Sequence, residues 1–171
     1  LHCSSAASDV YKRQAFIDRF IGSYAALAQR EPSPKPEEIK LLKELVELIP
    51  KNPAKATELL EAQVNSGSSG MMQMVLANLY FQAGRLPEAA DAYQKCVRDY
   101  PEFLRAHKNL GLLYLQQGEL DKALTALSRS VELGDNDGRT YGLIGYCLLN
   151  KGKFLPAETA YRQAVLNSPE N

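Results

Sequence analysis

His107-Lys108-Asn109-Leu110-Gly111-Leu112-Leu113-Tyr114, followed by Gly118 and then by Leu120, Ala123 and Leu127, is the stretch that decides the fold. Its apolar and small residues step by three and four, which lays them along one helix face before Gly118 and along another after it. The same phases recur at a spacing of 34 residues. Leu76, Leu110 and Ile144 form one set, Ala77, Gly111 and Gly145 the next, then Tyr80, Tyr114 and Leu148. Gly84, Gly118 and Gly152 recur, as do Leu86, Leu120 and Phe154. Ala89, Ala123 and Ala157 line up, followed by Tyr93, Leu127 and Tyr161, and by Cys96, Ser130 and Ala164. Pro101 and Pro169 bracket Asp135 at a ninth phase. A fixed period held without insertion is the signature of a repeat architecture.

The residues of one period predict a helical hairpin. Gly84, Gly118 and Gly152 fall between two helices, where a left-handed residue can close the first. Pro87 stands at the first turn of the second helix, where its missing N–H costs little. Pro101 and Pro169 end that helix. The small residues at 77, 111, 145, 89, 123 and 157 mark close approach of two backbones, and Tyr80, Tyr114, Tyr93 and Tyr161 fill the space between pairs. Such a hairpin cannot bury its apolar face alone, so stacking is compulsory.

This pattern resembles the tetratricopeptide repeat family. Its opening aromatic-x-x-Leu-Gly-x-x-Tyr element is matched by His107, Leu110, Gly111 and Tyr114, and by Tyr141, Ile144, Gly145 and Leu148. Its Ala-x-x-x-aromatic element is matched by Ala89–Tyr93 and Ala157–Tyr161, with Ala123–Leu127 a departure. The resemblance implies an all-α, right-handed α-solenoid of antiparallel helix pairs, with full repeats over 70–103, 104–137 and 138–171. It also implies a peptide-binding groove along the first helices. Carried over by repeat position, the groove takes Met71, Met74, Val75, Asn78, Phe81 and Gln82 from the first copy. The second gives Arg105, Lys108, Asn109, Leu112, Leu115 and Gln116, and the third Arg139, Gly142, Leu143, Tyr146, Leu149 and Asn150. The charges among these are Arg105, Lys108 and Arg139, all positive, which points to a protein or peptide partner with carboxylates beside apolar side chains. Some family members clamp a peptide C-terminus with Lys, Asn, Asn, Lys and Arg. Asn78, Asn109 and Arg139 stand at three of those positions, but Met74 and Leu143 take the other two, so that clamp is incomplete here. Asn109 also has a purely structural reading, because helix Asn often bonds locally.

The rest of the chain is less regular. Residues 36–69 read as a divergent hairpin, with helices over 37–49 and 53–65 and a Ser/Gly connector at 65–70. Residues 15–35 read as an apolar-striped helix over 15–29 followed by the breaker Glu31-Pro32-Ser33-Pro34-Lys35-Pro36. Ser4–Gln14 resembles the in-frame translation of a transposase-type sequencing adapter, so residues 1–14 are set aside from the fold. On that reading the native start is missing, the array is cut at its far end where nothing caps the last helix, and the chain is a bacterial metagenomic fragment. Localisation, cytoplasmic or periplasmic, then stays open.

Composition narrows the function. The chain has 171 residues, 20 basic and 20 acidic side chains, 45% hydrophobic residues and a mean hydropathy of −0.30. Charge balance argues against a polybasic nucleic-acid arm, and the longest mostly apolar run, Tyr141–Leu149, is about half a membrane span. Setting aside residues 1–14 leaves one histidine, His107, and two cysteines, Cys96 and Cys147, all at packing phases. That excludes a zinc pattern and predicts buried thiols. Glu88, Asp91, Asp121, Glu132 and Glu158 read as a solvated convex face. With no catalytic constellation, metal or cofactor motif, the expectation is a non-catalytic interaction scaffold. The alternatives are a recognition arm of a larger enzyme, such as a glycosyltransferase, or a structural subunit of a bacterial envelope complex.

Overall fold

A computed structural model describes residues 31–168. The adapter-like stretch 1–14, the helix expected over 15–29 and Pro169 lie outside the described residues. Among the described residues the elements are all α-helices: α1 (Glu38–Leu48), α2 (Pro53–Gln63), α3 (Gly70–Gln82), α4 (Leu86–Asp99), α5 (Leu104–Gln116), α6 (Leu120–Glu132), α7 (Gly138–Asn150) and α8 (Phe154–Leu166). They pair as antiparallel hairpins, α3 with α4, α5 with α6 and α7 with α8, and each hairpin stacks on the next. The divergent pair α1–α2 stacks on α3 through α2.

Local chemistry sets the helix ends. Asn52 Oδ1 accepts the Lys55 N–H at 3.0 Å, with Pro53 as the first helical residue of α2. Ser69 Oγ does the same for the Met72 N–H of α3 at 3.3 Å. Gly84, Gly118 and Gly152 adopt φ of 73°, 76° and 70° and end α3, α5 and α7 in one shared way. The N–H of the following residue reaches back five positions: Arg85 to Tyr80 O at 2.9 Å, Glu119 to Tyr114 O at 2.8 Å, Lys153 to Leu148 O at 2.9 Å. That is the Schellman closure, and it gives every hairpin the same turn.

Packing follows the repeat phases. Ala77, Ala89, Ala123 and Ala157 are buried, as are Gly111 and Gly145. One core cluster joins Leu45, Ala56 and Leu60 to Met72, Val75, Leu76 and Leu79. A second joins Met74 and Ala77 to Ala89, Tyr93, Cys96, Phe103, Ala106, Leu110 and Leu113. Helix α3 therefore feeds two cores at once, which explains why it is apolar almost all round. Tyr93 is fully buried, whereas Tyr80 and Tyr114 are half-buried. The Arg85 guanidinium lies 4.4 Å from the Tyr80 ring centre, and Tyr114 Oη accepts from Gln94 Nε2 at 2.9 Å. Tyr161 departs from the expected filling role and lies at the surface, because no further helix among the described residues packs on α8. Phe103 is a core residue that the period misses, since Asp137 takes its phase in the next copy.

The closest approach is testable. A Cβ on Gly111 would stand 2.6 Å from Leu127 Cγ, and Leu127 is fully buried and has no room to yield. Gly111→Ala should cost about 1–3 kcal/mol by overpacking, a fall of roughly 2–4 °C in melting temperature per kcal/mol. On α7, Gly142 meets only Ala164 Cβ at 3.9 Å. Gly142→Ala should instead hold or raise the melting temperature, since Ala is about 1 kcal/mol better than Gly inside a helix. Circular dichroism melts of both variants check the pair.

Candidate functional site

The groove positions lie on α3, α5 and α7, and their exposure changes along the stack. Met71 and Met74 are buried, at 4% and 3% exposure, and Val75 belongs to the core cluster with Leu45 and Leu60. Asn78, Phe81, Arg105, Lys108, Asn109, Leu112 and Leu115 are half-buried. On α7 the face opens: Tyr146 is 49% and Leu149 45% exposed, and the Arg139 side chain is 89% exposed. Steps of three and seven residues put these three on one side of the helix.

Two of the expected groove residues are tied together. Asn109 Nδ2 donates to Asn78 Oδ1 at 2.8 Å, and the Tyr93 hydroxyl donates to that same oxygen. The triad links α3, α4 and α5, which accords with the structural reading of Asn109 as a local bonding residue. Burial pushes the Tyr93 hydroxyl's pKa well up, so it remains a donor.

The electrostatics differ from expectation. Repeat-position carry-over found cations and no acids on this face, yet each cation meets a carboxylate of the chain itself. Glu31 Oε2 accepts from Arg105 Nε at 2.7 Å and pairs with Nη2, while its Oε1 lies 3.4 Å from the Arg105 backbone N–H. Lys108 Nζ lies 3.2 Å from Asp135 Oδ2 and 3.0 Å from Asp137 Oδ2. Arg139 reaches Asp137 through its backbone N–H at 2.9 Å and its Nη2 at 3.2 Å. Asp135 is buried and also accepts from the Thr140 hydroxyl at 2.7 Å, the Ser130 hydroxyl at 3.3 Å and the Asp137 N–H at 3.0 Å. It follows Gly134, whose φ of 107° closes α6.

Sequence reading missed all three acids because it selected groove residues by repeat position. Glu31 precedes the repeats, and Asp135 and Asp137 occupy phases at the end of a copy. One signal was present: Asp135-Asn136-Asp137 directly before a helix is capping chemistry, and Asp137 is the N-cap of α7. Burial raises the Asp137 carboxyl's pKa, but the Arg139 N–H, Lys108 and the Arg139 guanidinium outweigh that and hold it at about 2.

The other singled-out residues are structural. Cys96 and Cys147 are buried free thiols, and burial pushes the Cys96 thiol up to about 12. His107 Nε2 lies 2.9 Å from Pro101 O, and burial lowers its pKa. Glu88, Asp91, Asp121, Glu132 and Glu158 are exposed. Among the described residues no cluster could hold a metal ion, and no helix is long and apolar enough to cross a membrane. The outer side of α8 presents Phe154, Leu155, Val165 and Leu166 to solvent.

Family models for the tetratricopeptide repeat match residues 74–138 and 138–171. Together they span more than half of the chain. BBSome complex member BBS4 of Bos taurus is 28% identical over 118 residues, which is 67% of this chain and 23% of that protein. The chain thus spans about a quarter of the length of this curated relative. The crystal structure of MamA superposes with a TM-score of 0.65 at 24% identity, covering 71% of this chain and 72% of that one. The first TPR of Spaghetti (RPAP3), bound to the HSP90 peptide SRMEEVD, superposes with a TM-score of 0.55 at 22% identity, covering 60% and 81%. These likenesses show the same all-α repeat solenoid.

The charge cluster sets a pH dependence. A carboxyl held at about 2, against an ordinary 3.8, favours the folded state above its ordinary pKa, and that contribution fades as pH falls toward the lower value. Asp137→Asn keeps a capping oxygen and removes the charge. The wild-type chain should therefore melt higher than Asp137→Asn at about pH 6, and the gap should close by about pH 2. Thermal melts of both chains across that range check it.

Proposed function

Because the chain belongs to the tetratricopeptide repeat family, we propose that it is a non-catalytic scaffold that holds a peptide segment of another protein along α3, α5 and α7. The observation that carries this reading is the open end of that face. Tyr146, Leu149 and Arg139 are exposed along one face of α7, an aromatic and an aliphatic anchor with a cation about two turns away. Exposed aromatic and arginine side chains are favoured anchors in interfaces. The half-buried Leu112 and Leu115 on α5 extend the apolar strip. The partner class this favours is an acidic segment with apolar side chains. In the related repeat domain of Spaghetti the bound peptide, SRMEEVD, mixes those two chemistries.

A peptide selection tests the reading. Random peptides displayed against the whole chain should be enriched in Asp or Glu next to Leu, Ile, Phe or Met. Arg139→Gln together with Tyr146→Ala takes the guanidinium off Asp137 but leaves that cap its bond from the backbone N–H of residue 139 and its pair with Lys108, so the melting temperature should fall by no more than about 1 kcal/mol would imply. The same variant should bind the selected peptides roughly tenfold to a hundredfold more weakly, the loss of one charge-assisted bond and one anchor. Selection without acidic enrichment, or binding untouched by the double substitution, would sink the proposal.

A further inference from the structure

Arg105 and Arg139 occupy the same position in successive repeats, at the first turn of α5 and of α7, and both are bound by a carboxylate. In α7 that carboxylate is local. Asp137, the N-cap, accepts the Arg139 N–H at 2.9 Å and its Nε at 3.3 Å. In α5 the equivalent N-cap is Phe103, which has no side-chain oxygen and turns into the core. The carboxylate on Arg105 arrives from Glu31, 74 residues upstream. The second repeat therefore has a carboxylate-binding position served by Glu31, a residue from outside that repeat. Its parts are a guanidinium fork and the positive end of a helix.

The segment that fills it is fastened along its length. The Glu31 side chain is 4% exposed. A Cβ on Gly70 would meet Pro32 Cγ and the Tyr100 ring at 2.6 Å, so the proline packs against the start of α3. Lys35 Nζ donates to Gly67 O, and Glu38 Oε1 accepts the Ser69 N–H at 2.8 Å. Residues 31–35 nevertheless form no helix, and they hold the site by side-chain contacts and one proline ring. A tethered ligand of this kind acts at an effective concentration in the range of mM, which a free ligand of similar chemistry can match.

We propose that Arg105 at the start of α5 is a glutamate seat filled in cis by Glu31-Pro32, and that an external extended segment bearing a Glu-Pro pair enters by displacing this strap. The inference rests on the peptide-scaffold reading and adds a second contact point to it, on α5, apart from Tyr146 and Leu149 on α7. The glutamate takes the guanidinium and the helix terminus, and the proline takes the place beside Gly70 and Tyr100. The strap lowers the apparent affinity for such a segment by the fraction of time it occupies the seat.

The probe is a capped synthetic hexapeptide, Glu-Pro-Ser-Pro-Lys-Pro, titrated into the whole ¹⁵N-labelled chain while the Arg105 Nε–H resonance is followed. Glu31→Gln with Pro32→Ser takes the strap carboxylate off Arg105 and should shift that resonance before any peptide is added. The substituted chain should then bind the peptide at least about tenfold more tightly than the wild-type chain. Adding Arg105→Gln should erase the gain, and a peptide with Gln in place of Glu should show none. The wild-type titration at high peptide concentration needs no substitution and should move the same resonance toward the same end point. An Arg105 resonance indifferent to the strap substitutions, or equal affinity of substituted and wild-type chains, would overturn the inference. Because Arg139 and Tyr146 are intact in every chain used, failure here leaves the peptide selection on α7 standing, and failure there leaves this result standing.

Discussion

Leu127 packs so close to the backbone of α5 that one methyl at position 111 would meet its Cγ at 2.6 Å. That constraint recurs in altered form in each regular hairpin. Gly145 gives the same clearance to the Tyr161 ring, and the fully buried Ala77 and Ala89 serve the first pair. Without it the two helices would separate, and the apolar strip between them would lose its close-packed contacts. The shared left-handed glycine closures then fix how each pair turns, and stacking follows because neither helix can cover its second face alone. Helix α3 makes the point most fully, since it belongs to two core clusters and has little face left for water.

Much of this was legible in the sequence because it depends on repetition. A residue type needed at one close approach is needed again 34 positions later, so chance matches are filtered out. The hairpin turns at Gly84, Gly118 and Gly152, the helix start at Pro53 and the buried thiols all follow from local rules that do not depend on distant partners. What period reading could not reach was whatever breaks the period. Phe103 and Asp137 share a phase and do opposite things, one entering the core and the other capping a helix.

The binding face shows the same division. Its residue list could be carried over by position, but its exposure could not, because burial of Met71 and Met74 depends on what lies against them and not on their place in a repeat. Its charge was misjudged for a related reason. Three cations were visible on the first helices, and their three carboxylates came from a segment before the repeats and from the tail of a copy. Electrostatic character is a property of everything within a few ångströms, whereas a repeat position describes a single side chain.

The two joints between the regular hairpins are made of different materials. Between α4 and α5 the joint is greasy: Phe103 is wholly enclosed beside Tyr93, Cys96 and Ala106. Between α6 and α7 it is ionic, with Asp135 at the hub of Lys108, Ser130 and Thr140. Apolar contact weakens on cooling, while the Asp137 carboxyl that shares Lys108 with Asp135 is held at about 2 and loses its charge only in acid. The two seams of the stack thus answer to different conditions, one to temperature and the other to acidity.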